Sequence, residues 1–569
     1  MITQSTFFYE QPNNQRNRLL AVTQASPPMN AADKVTDTVA DKLTNAYRTR
    51  FEEKAARMAG LVRGHFQTVT QPKKQIKPHL PTLDHYREHL CQSVETYYHY
   101  IQNWQTVIDC VLDGDAHMQR RGPWEQWGEM ITLALKAACH LENRQTEAQL
   151  LYRLGRLRYR QGLIYDAEDC WQQAEKLYAS LDDDVWVPRI WRWLAEQKIA
   201  TGELKTAAVY AKKALAAQQQ NGDEVGLAST YGTLGYVAME NNDNAAALSR
   251  YEQALAMPAL ATERDVLART HVRIGRLHIY SNAYNKALNH YHASRTLAEA
   301  DGDDDLLCSV LSGMGIIYGM RGELQNSLEA FQQMRIVAER CGNMRMVLMA
   351  RSNISVSHYR LGQFEESLES ARIGVRVAKE LGDRVNSMVV LVNESETLCQ
   401  LGRVEEAAKS VAEVEAIIPT IDYNIYYTTI LLGAQASVAR LQGDTATALD
   451  KFAQTSALME EMGNQFEAAD AAIEVVNTYL AMSSDPPTDV EQHVTPWIEK
   501  IHHAGETLEQ YDLISEGHRL AGQIALLQGD HETARRSYEA AKDALLTEEN
   551  DRNQYLLRVL ERISPLLNI

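Results

Sequence analysis

Cysteine, proline and long apolar runs are all scarce in this chain of 569 residues. The seven cysteines (Cys91, Cys110, Cys139, Cys170, Cys308, Cys341 and Cys399) form no C-x-x-C pair, and their odd number argues for a reducing compartment over a disulfide framework. No stretch approaches the ~18 consecutive apolar residues of a membrane span. The N-terminal "LLAV" is too short for the core of a secretion signal. The expectation is a soluble cytoplasmic protein. With 57 Lys+Arg against 75 Asp+Glu, the net charge of -18 argues against a general nucleic-acid binder, which needs a basic face to neutralise phosphates. Walker A, G-x-S-x-G and glycine-rich dinucleotide motifs are missing, so the sequence reads as non-enzymatic and without a cofactor.

What is present is helix-forming sequence. Only 14 prolines and 30 glycines interrupt long Ala/Leu/Glu/Gln-rich segments. The length exceeds what one compact core usually reaches, so the chain is several domains or one elongated array. A turn residue recurs every forty residues, at Gly122, Gly162, Gly202, Asn242, Asn282, Gly322, Gly362 and Gly402, and after small insertions at Gly443 and Gly529. Gly and Asn most readily take the left-handed conformation that ends a helix, so these positions read as tight turns inside helical hairpins. Seven residues before the turns sits a small residue (Gly155, Ala195, Gly235, Gly275, Gly315, Ser355, Ser395) and five after sits another (Ala167, Ala207, Ala247, Ala287, Ser327, Ser367, Ala407). A small side chain on each helix lets the two axes approach where they cross. Four residues further on, Trp171, Tyr251, Tyr291, Phe331, Phe452 and Tyr538 read as filling the gap to the next hairpin.

The segments "YGTLGYVAMENNDNAAALSRYEQAL" (231–255) and "LSGMGIIYGMRGELQNSLEAFQQM" (311–334) carry this pattern in full. The pattern resembles the tetratricopeptide (TPR) repeat, with a period longer than usual, as in bacterial TPR regulators and adaptors of the kinesin-light-chain type. The resemblance spans roughly residues 120–545 and implies an all-α, right-handed superhelical solenoid of antiparallel helix hairpins with a helical N-terminal cap. Residues 1–82 read as a polar, flexible N-terminal arm, 83–145 as the cap, 146–482 as the array, and 483–569 as irregular final repeats with a C-terminal capping helix. Residues 83–113 read as one long amphipathic helix, and Trp127 occupies a small-residue slot, as an atypical terminal repeat allows.

Two clusters invite chemistry. "ARTHVRIGRLHIYSNAYNKALNHYH" (268–292) holds four histidines, but His271 falls in a packing slot. His278 lies seven residues away, about 10.5 Å along a helix, too far for both to share a zinc ion. "ADGDDDL" (300–306) lacks the order and the glutamate of a calcium loop, and reads as a solvated turn between repeats. No metal site is expected.

The resemblance places the ligand-facing slots on the first helix of each hairpin. They hold Tyr152, Arg156, Tyr159, Arg160, Arg192, Tyr236, Arg276, Tyr280, Tyr359 and Arg360, with Asn353 and Asn393 at a slot where related peptide-binding arrays hydrogen-bond an extended ligand's backbone. Arginine and tyrosine together supply bidentate donors and large amphipathic contacts, suited to recognising a protein or peptide that carries carboxylates. The same arginines also serve solubility. Glu196, Glu240 and Glu396 on the same face count against nucleic acid. The expected function is a protein-binding scaffold or regulatory subunit. The alternative is a ligand-responsive bacterial-type TPR regulator controlling an effector; the third reading is a metal-dependent hydrolase using the histidine strip or the 483–516 segment.

Overall fold

The computed structural model describes residues 39–69, 80–261, 263–421, 425–482 and 490–563. Among them it places twenty-five α-helices and no strand. Of the polar arm, residues 1–38 and 70–79 lie outside the described residues, while Val39–Val69 is a single helix. It buries Ala59, Val62 and Phe66, apolar residues spaced to share one face. The stretch expected to be one helix over 83–113 is broken. Leu80–Thr96 runs into a π-helical turn at Tyr97–Ile101, Gln102 takes a left-handed φ of 58°, and Asn103 caps the next helix, Trp104–Arg121, by accepting from the Thr106 amide at 3.1 Å. Trp127 is fully buried and donates its Nε1 to Asp115 at 3.1 Å.

From Arg144 onward the helices pair as hairpins, beginning with Arg144–Arg160 on Ile164–Ser180 and Trp186–Ala200 on Leu204–Asn221. The fold is an all-α solenoid of antiparallel hairpins. The turn glycines have the left-handed geometry that a Cβ would strain: φ is 79° at Gly162 and 82° at Gly443. Asn242 and Asn282 take the same conformation at 60° and 54°. Gly122 departs from the series, with φ −80° ahead of Pro123, because the cap helices join differently from the repeats. The interruption after Ser483 is one further hairpin, Gln465–Ala481 with Val490–Leu508; residues 483–489 lie outside the described ones.

The aromatic residues do something the spacing did not indicate. A Cβ on Gly155 would lie 2.5 Å from the Trp171 indole, and one on Gly235 2.5 Å from the Tyr251 ring. Each ring therefore packs onto the small residue of its own hairpin, and Trp171 also stacks on Trp193 of the next at 5.5 Å. Burial of each such ring contributes on the order of 2–3 kcal/mol. Where serine replaces glycine or alanine, its hydroxyl bonds across the crossing: Ser355 Oγ donates to the Ser367 carbonyl at 3.0 Å and Ser367 Oγ to that of Ser355 at 2.8 Å.

The helices form two compact units. The first runs from the N-terminal helices to Val310 and includes Val337–Asn343; the second comprises Leu311–Ile336 and Met344 to the C-terminal helix. Within the first, "ADGDDDL" is not a solvated turn. Asp303 and Asp304 are 3% and 1% exposed, because arginines distant in sequence converge on them. Arg121 lies 3.0 Å and Arg340 2.5 Å from Asp304, and Arg121 also holds Asp84 at 2.9 Å. Burial pushes the Asp304 carboxyl upward against the pull of both arginines. Within the second, the last helix, Asp551–Ile563, returns to much earlier turns. Asp551 accepts from the Gln325 amide at 2.8 Å, and Arg552 donates to the Arg360 carbonyl at 3.0 Å.

Candidate functional site

In the first unit the expected residues fall into two groups. Tyr152, Arg156, Tyr159 and Arg192 surround a residue that the sequence reading passed over, Trp193, while Tyr236 and Arg276 pair with each other. The Arg156 guanidinium lies 6.0 Å from the Tyr152 ring centre and 5.5 Å from that of Trp193, with its Nε buried and without a hydrogen-bond partner. Arg192 covers Trp193 at 4.1 Å, and the indole donates to the Tyr152 hydroxyl at 3.0 Å. Tyr159 stacks edge-on against Trp193 at 5.9 Å. Arg276 donates to the Tyr236 hydroxyl at 3.2 Å, and Tyr280 is 46% exposed.

One carboxylate serves this group. Glu196 is buried, 2.5 Å from Arg273, 3.7 Å from Arg192 and 2.6 Å from the Thr233 hydroxyl. Against its burial, Arg273 and Arg192 hold its carboxyl below the ordinary range. Arg273 and Trp193 both stand two residues before a small residue, the slot used above only for the asparagines. Extending that slot to every repeat would have found them. Arg160 belongs to the second group. It is almost fully buried, donates to the Gln119 carbonyl and lies 3.5 Å from Asp305. Nearby, Arg269, Arg120, Arg156 and Arg160 outweigh burial to hold Asp265 low.

In the second unit, Arg360 repeats the role of Arg160. It is 6% exposed and donates to the Gly319 carbonyl at 2.7 Å, forty-one residues upstream, the same separation as Arg160 to Gln119. Burial and the neighbouring Arg552 draw its guanidinium down to about 10. Tyr359 accepts from Gln400 Nε2 at 3.0 Å and packs edge-on against Phe364. Asn353 and Asn393 are fully buried. Asn393 Nδ2 donates to Ser352 Oγ at 3.0 Å, whereas its Oδ1 and both amide atoms of Asn353 have no hydrogen-bond partner. Three residues beyond Asn393, Glu396 is also buried; burial, with Asp470 and Glu474 nearby, raises its carboxyl to about 7.

The histidine strip forms a local contact. His271 Nδ1 lies 2.9 Å from His290 Nδ1, a hydrogen-bond distance, and the His278 ring centre is 5.6 Å from that of His290. Burial and the two neighbouring rings lower His290 to about 4. Among the described residues no group of three or more His, Cys, Asp or Glu side chains could hold a metal ion, and no helix is long and apolar enough to cross a membrane.

Hairpins of forty-residue period, a ring seated on the crossing glycines Gly155, Gly235, Gly275, Gly315 and Gly522, and the same arginine-to-carbonyl bond at the equivalent slots of Arg160 and Arg360 define the repeat. The described residues fold as a TPR-like array of helical hairpins. No family model and no curated protein matches this TPR-like chain. Among solved structures it is similar to a Rap protein complexed with the Competence and Sporulation Factor, at 12% identity and a TM-score of 0.43 over 60% of this chain and 98% of that one. It is also similar to aspartyl phosphate phosphatase F from Bacillus subtilis, at 12% identity and a TM-score of 0.44 over 64% and 94% of the two chains. A signal-transduction ATPase with a tetratricopeptide repeat sensor from Pyrococcus horikoshii matches at 9% identity and a TM-score of 0.37, covering 88% of this chain and 69% of that one.

Proposed function

We propose that this protein is a non-enzymatic, protein-binding scaffold or regulatory subunit, and that the Tyr152–Trp193–Tyr236 face of its first unit receives a partner segment bearing carboxylates. The observation that carries the reading is Arg156. Its guanidinium is held against two aromatic rings, which fixes its plane at little entropic cost, and its buried Nε lacks a partner. A carboxylate arriving there supplies the missing acceptor in a charge-assisted, bidentate contact. Arg192 and Arg273 stand beside the buried carboxylate of Glu196, and Arg156 and Arg276 are held over aromatic rings, so the face is locally basic in an acidic protein.

The test is recovery of partners from the native cell, identified by mass spectrometry, with the parent chain and with Arg156→Glu/Arg276→Glu. The variant should lose its principal partner at least tenfold while keeping its helical circular dichroism. Undiminished recovery by the folded variant rejects the face assignment. Arg160→Glu is unsuitable for this purpose, since it breaks a buried tie between repeats.

A second reading, a ligand-responsive regulator controlling an effector, is favoured by the second unit. Asn353 and Asn393 leave three amide atoms buried without partners, groups that the main chain of an extended peptide would satisfy. Titration calorimetry with a library of N-acetylated, C-amidated tetrapeptides tests it. An Asn353→Ala variant that binds them as tightly as the parent chain counts against it.

A further inference from the structure

Within the second unit, side chains from the helices Leu324–Cys341, Met344–Arg360 and Phe364–Leu381 line a cavity of about 210 Å³ that neither reading above uses. Its walls follow from helical spacing. Arg351 and Ile354 stand three residues apart on the middle helix, and Glu366, Glu369 and Ser370 recur at three- and four-residue steps on the last, so each set turns to one side, with Arg335 reaching in from the first helix. The Ser370 hydroxyl donates to the Arg351 carbonyl at 2.8 Å and ties two of the walls together. His358, also in the lining, is oriented by Gln363 Oε1, 2.6 Å from its Nδ1. The lining divides by charge. Arg335 and Arg351 come from the first two helices; Glu366 and Glu369 come from the third, are exposed, and form no ion pair among the described residues. Both arginines are engaged by neighbours, but a guanidinium carries five N–H donors and serves more than one acceptor.

Size and charge limit what fits. The space is smaller than the ~300–1,000 Å³ of drug-sized sites, so its occupant is a small molecule. Two carboxylates repel a phosphate, two guanidiniums repel a polyamine, and an apolar molecule strips water from all four charges without replacing it. A zwitterion satisfies both ends. We infer that this cavity binds a free α-amino acid, with Arg335 and Arg351 receiving its carboxylate, Glu366 and Glu369 its ammonium, and Ile354 packing against its side chain. The carboxylate accepts N–H bonds from the guanidinium forks and the ammonium donates to the glutamate oxygens, each a charge-assisted contact. An amino acid held this way bridges three helices, so its arrival fixes Leu324–Cys341 against the hairpin of Met344–Arg360 with Phe364–Leu381.

The experiment is thermal denaturation and titration calorimetry of the full chain with the proteinogenic L-amino acids, offered singly at millimolar concentration, followed by the N-acetyl form and the carboxamide of the one that binds best. At least one amino acid should raise the melting temperature and saturate the titration, and its N-acetyl form and carboxamide should each bind tenfold or more weakly. Glu366→Gln/Glu369→Gln, at exposed positions, should keep the parent's helical circular dichroism, lose the distinction between the amino acid and its N-acetyl form, and retain that between the amino acid and its carboxamide. Arg335→Gln should weaken the second distinction and keep the first. Failure of every amino acid to bind overturns the inference, as does equal binding of the three forms or a folded glutamate variant that still rejects the N-acetyl form. None of these outcomes touches the peptide reading, since Asn353 and Asn393 do not line the cavity.

Discussion

Glu396 carries its burial as a cost in neutral solution. Its carboxyl has an ordinary value of 4.5 and stands near 7 in the folded chain. Between those pH values the folded chain holds a proton that the unfolded chain has released, so stability declines as pH rises through that interval and levels off above it. Glu396→Gln removes the titration. The variant's unfolding free energy relative to the parent should rise by up to about 3 kcal/mol between pH 4.5 and pH 8. Denaturant melts at the two pH values measure this, and parallel behaviour of the two chains would mean that the folded carboxyl is ionised throughout. Glu196 is predicted to act with the opposite sign. Buried, but held low by Arg273 and Arg192, it contributes stability above the ordinary carboxylate range that is lost as acid reaches its lowered folded value. Glu196→Gln should therefore destabilise the chain at pH 7 and matter little at pH 3.

At the scale of the hairpin, the crossing of ring and small residue predicts a sharp size limit. Gly155→Val places carbon atoms where the Trp171 indole already lies, 2.5 Å from the Cβ position, and overpacking of this kind costs about 1–3 kcal/mol. Gly402→Ala, with nothing within 4 Å of the added carbon, is strained only through its φ of 68° and should cost about 1 kcal/mol. Thermal melts should place the first variant well below the second. These hairpins were legible in the sequence because turn, small residue and ring are local and recur in register. The break at Gln102 was not, because the amphipathic pattern continues through it and only the backbone leaves the helix. The faces were half legible. Tyr152, Arg156 and Arg192 lie together around Trp193, yet Arg160 and Arg360, at equally plausible slots, are occupied by carbonyls forty-one residues upstream. Sequence spacing gives a residue's side of the helix, and only packing tells whether its donors are already used.

At the scale of the molecule, each unit is tied by contacts between residues far apart in the chain. In the first, Arg121 and Asp304 are separated by 183 residues; in the second, Gln325 and Asp551 by 226. Nearest-neighbour stacking, which makes repeat proteins unfold gradually, is therefore supplemented by closure of each unit on itself. Deletion of Asp551–Ile563 should speed amide hydrogen exchange in the turns at Gly322 and Gly362 as well as in the adjacent final hairpin, because Arg552 and Tyr555 pack on those distant turns. Exchange confined to the final hairpin would show that closure adds nothing. The Asp304 tie also sets an order of events during synthesis. At about 5–20 residues per second, Arg121 leaves the ribosome roughly 10–40 s before Asp304, and Arg340 follows later still. For that interval the N-terminal helices have their apolar partners and lack their distant counter-charge, so the first unit can collapse early and yet lock only after more than half the chain has been made.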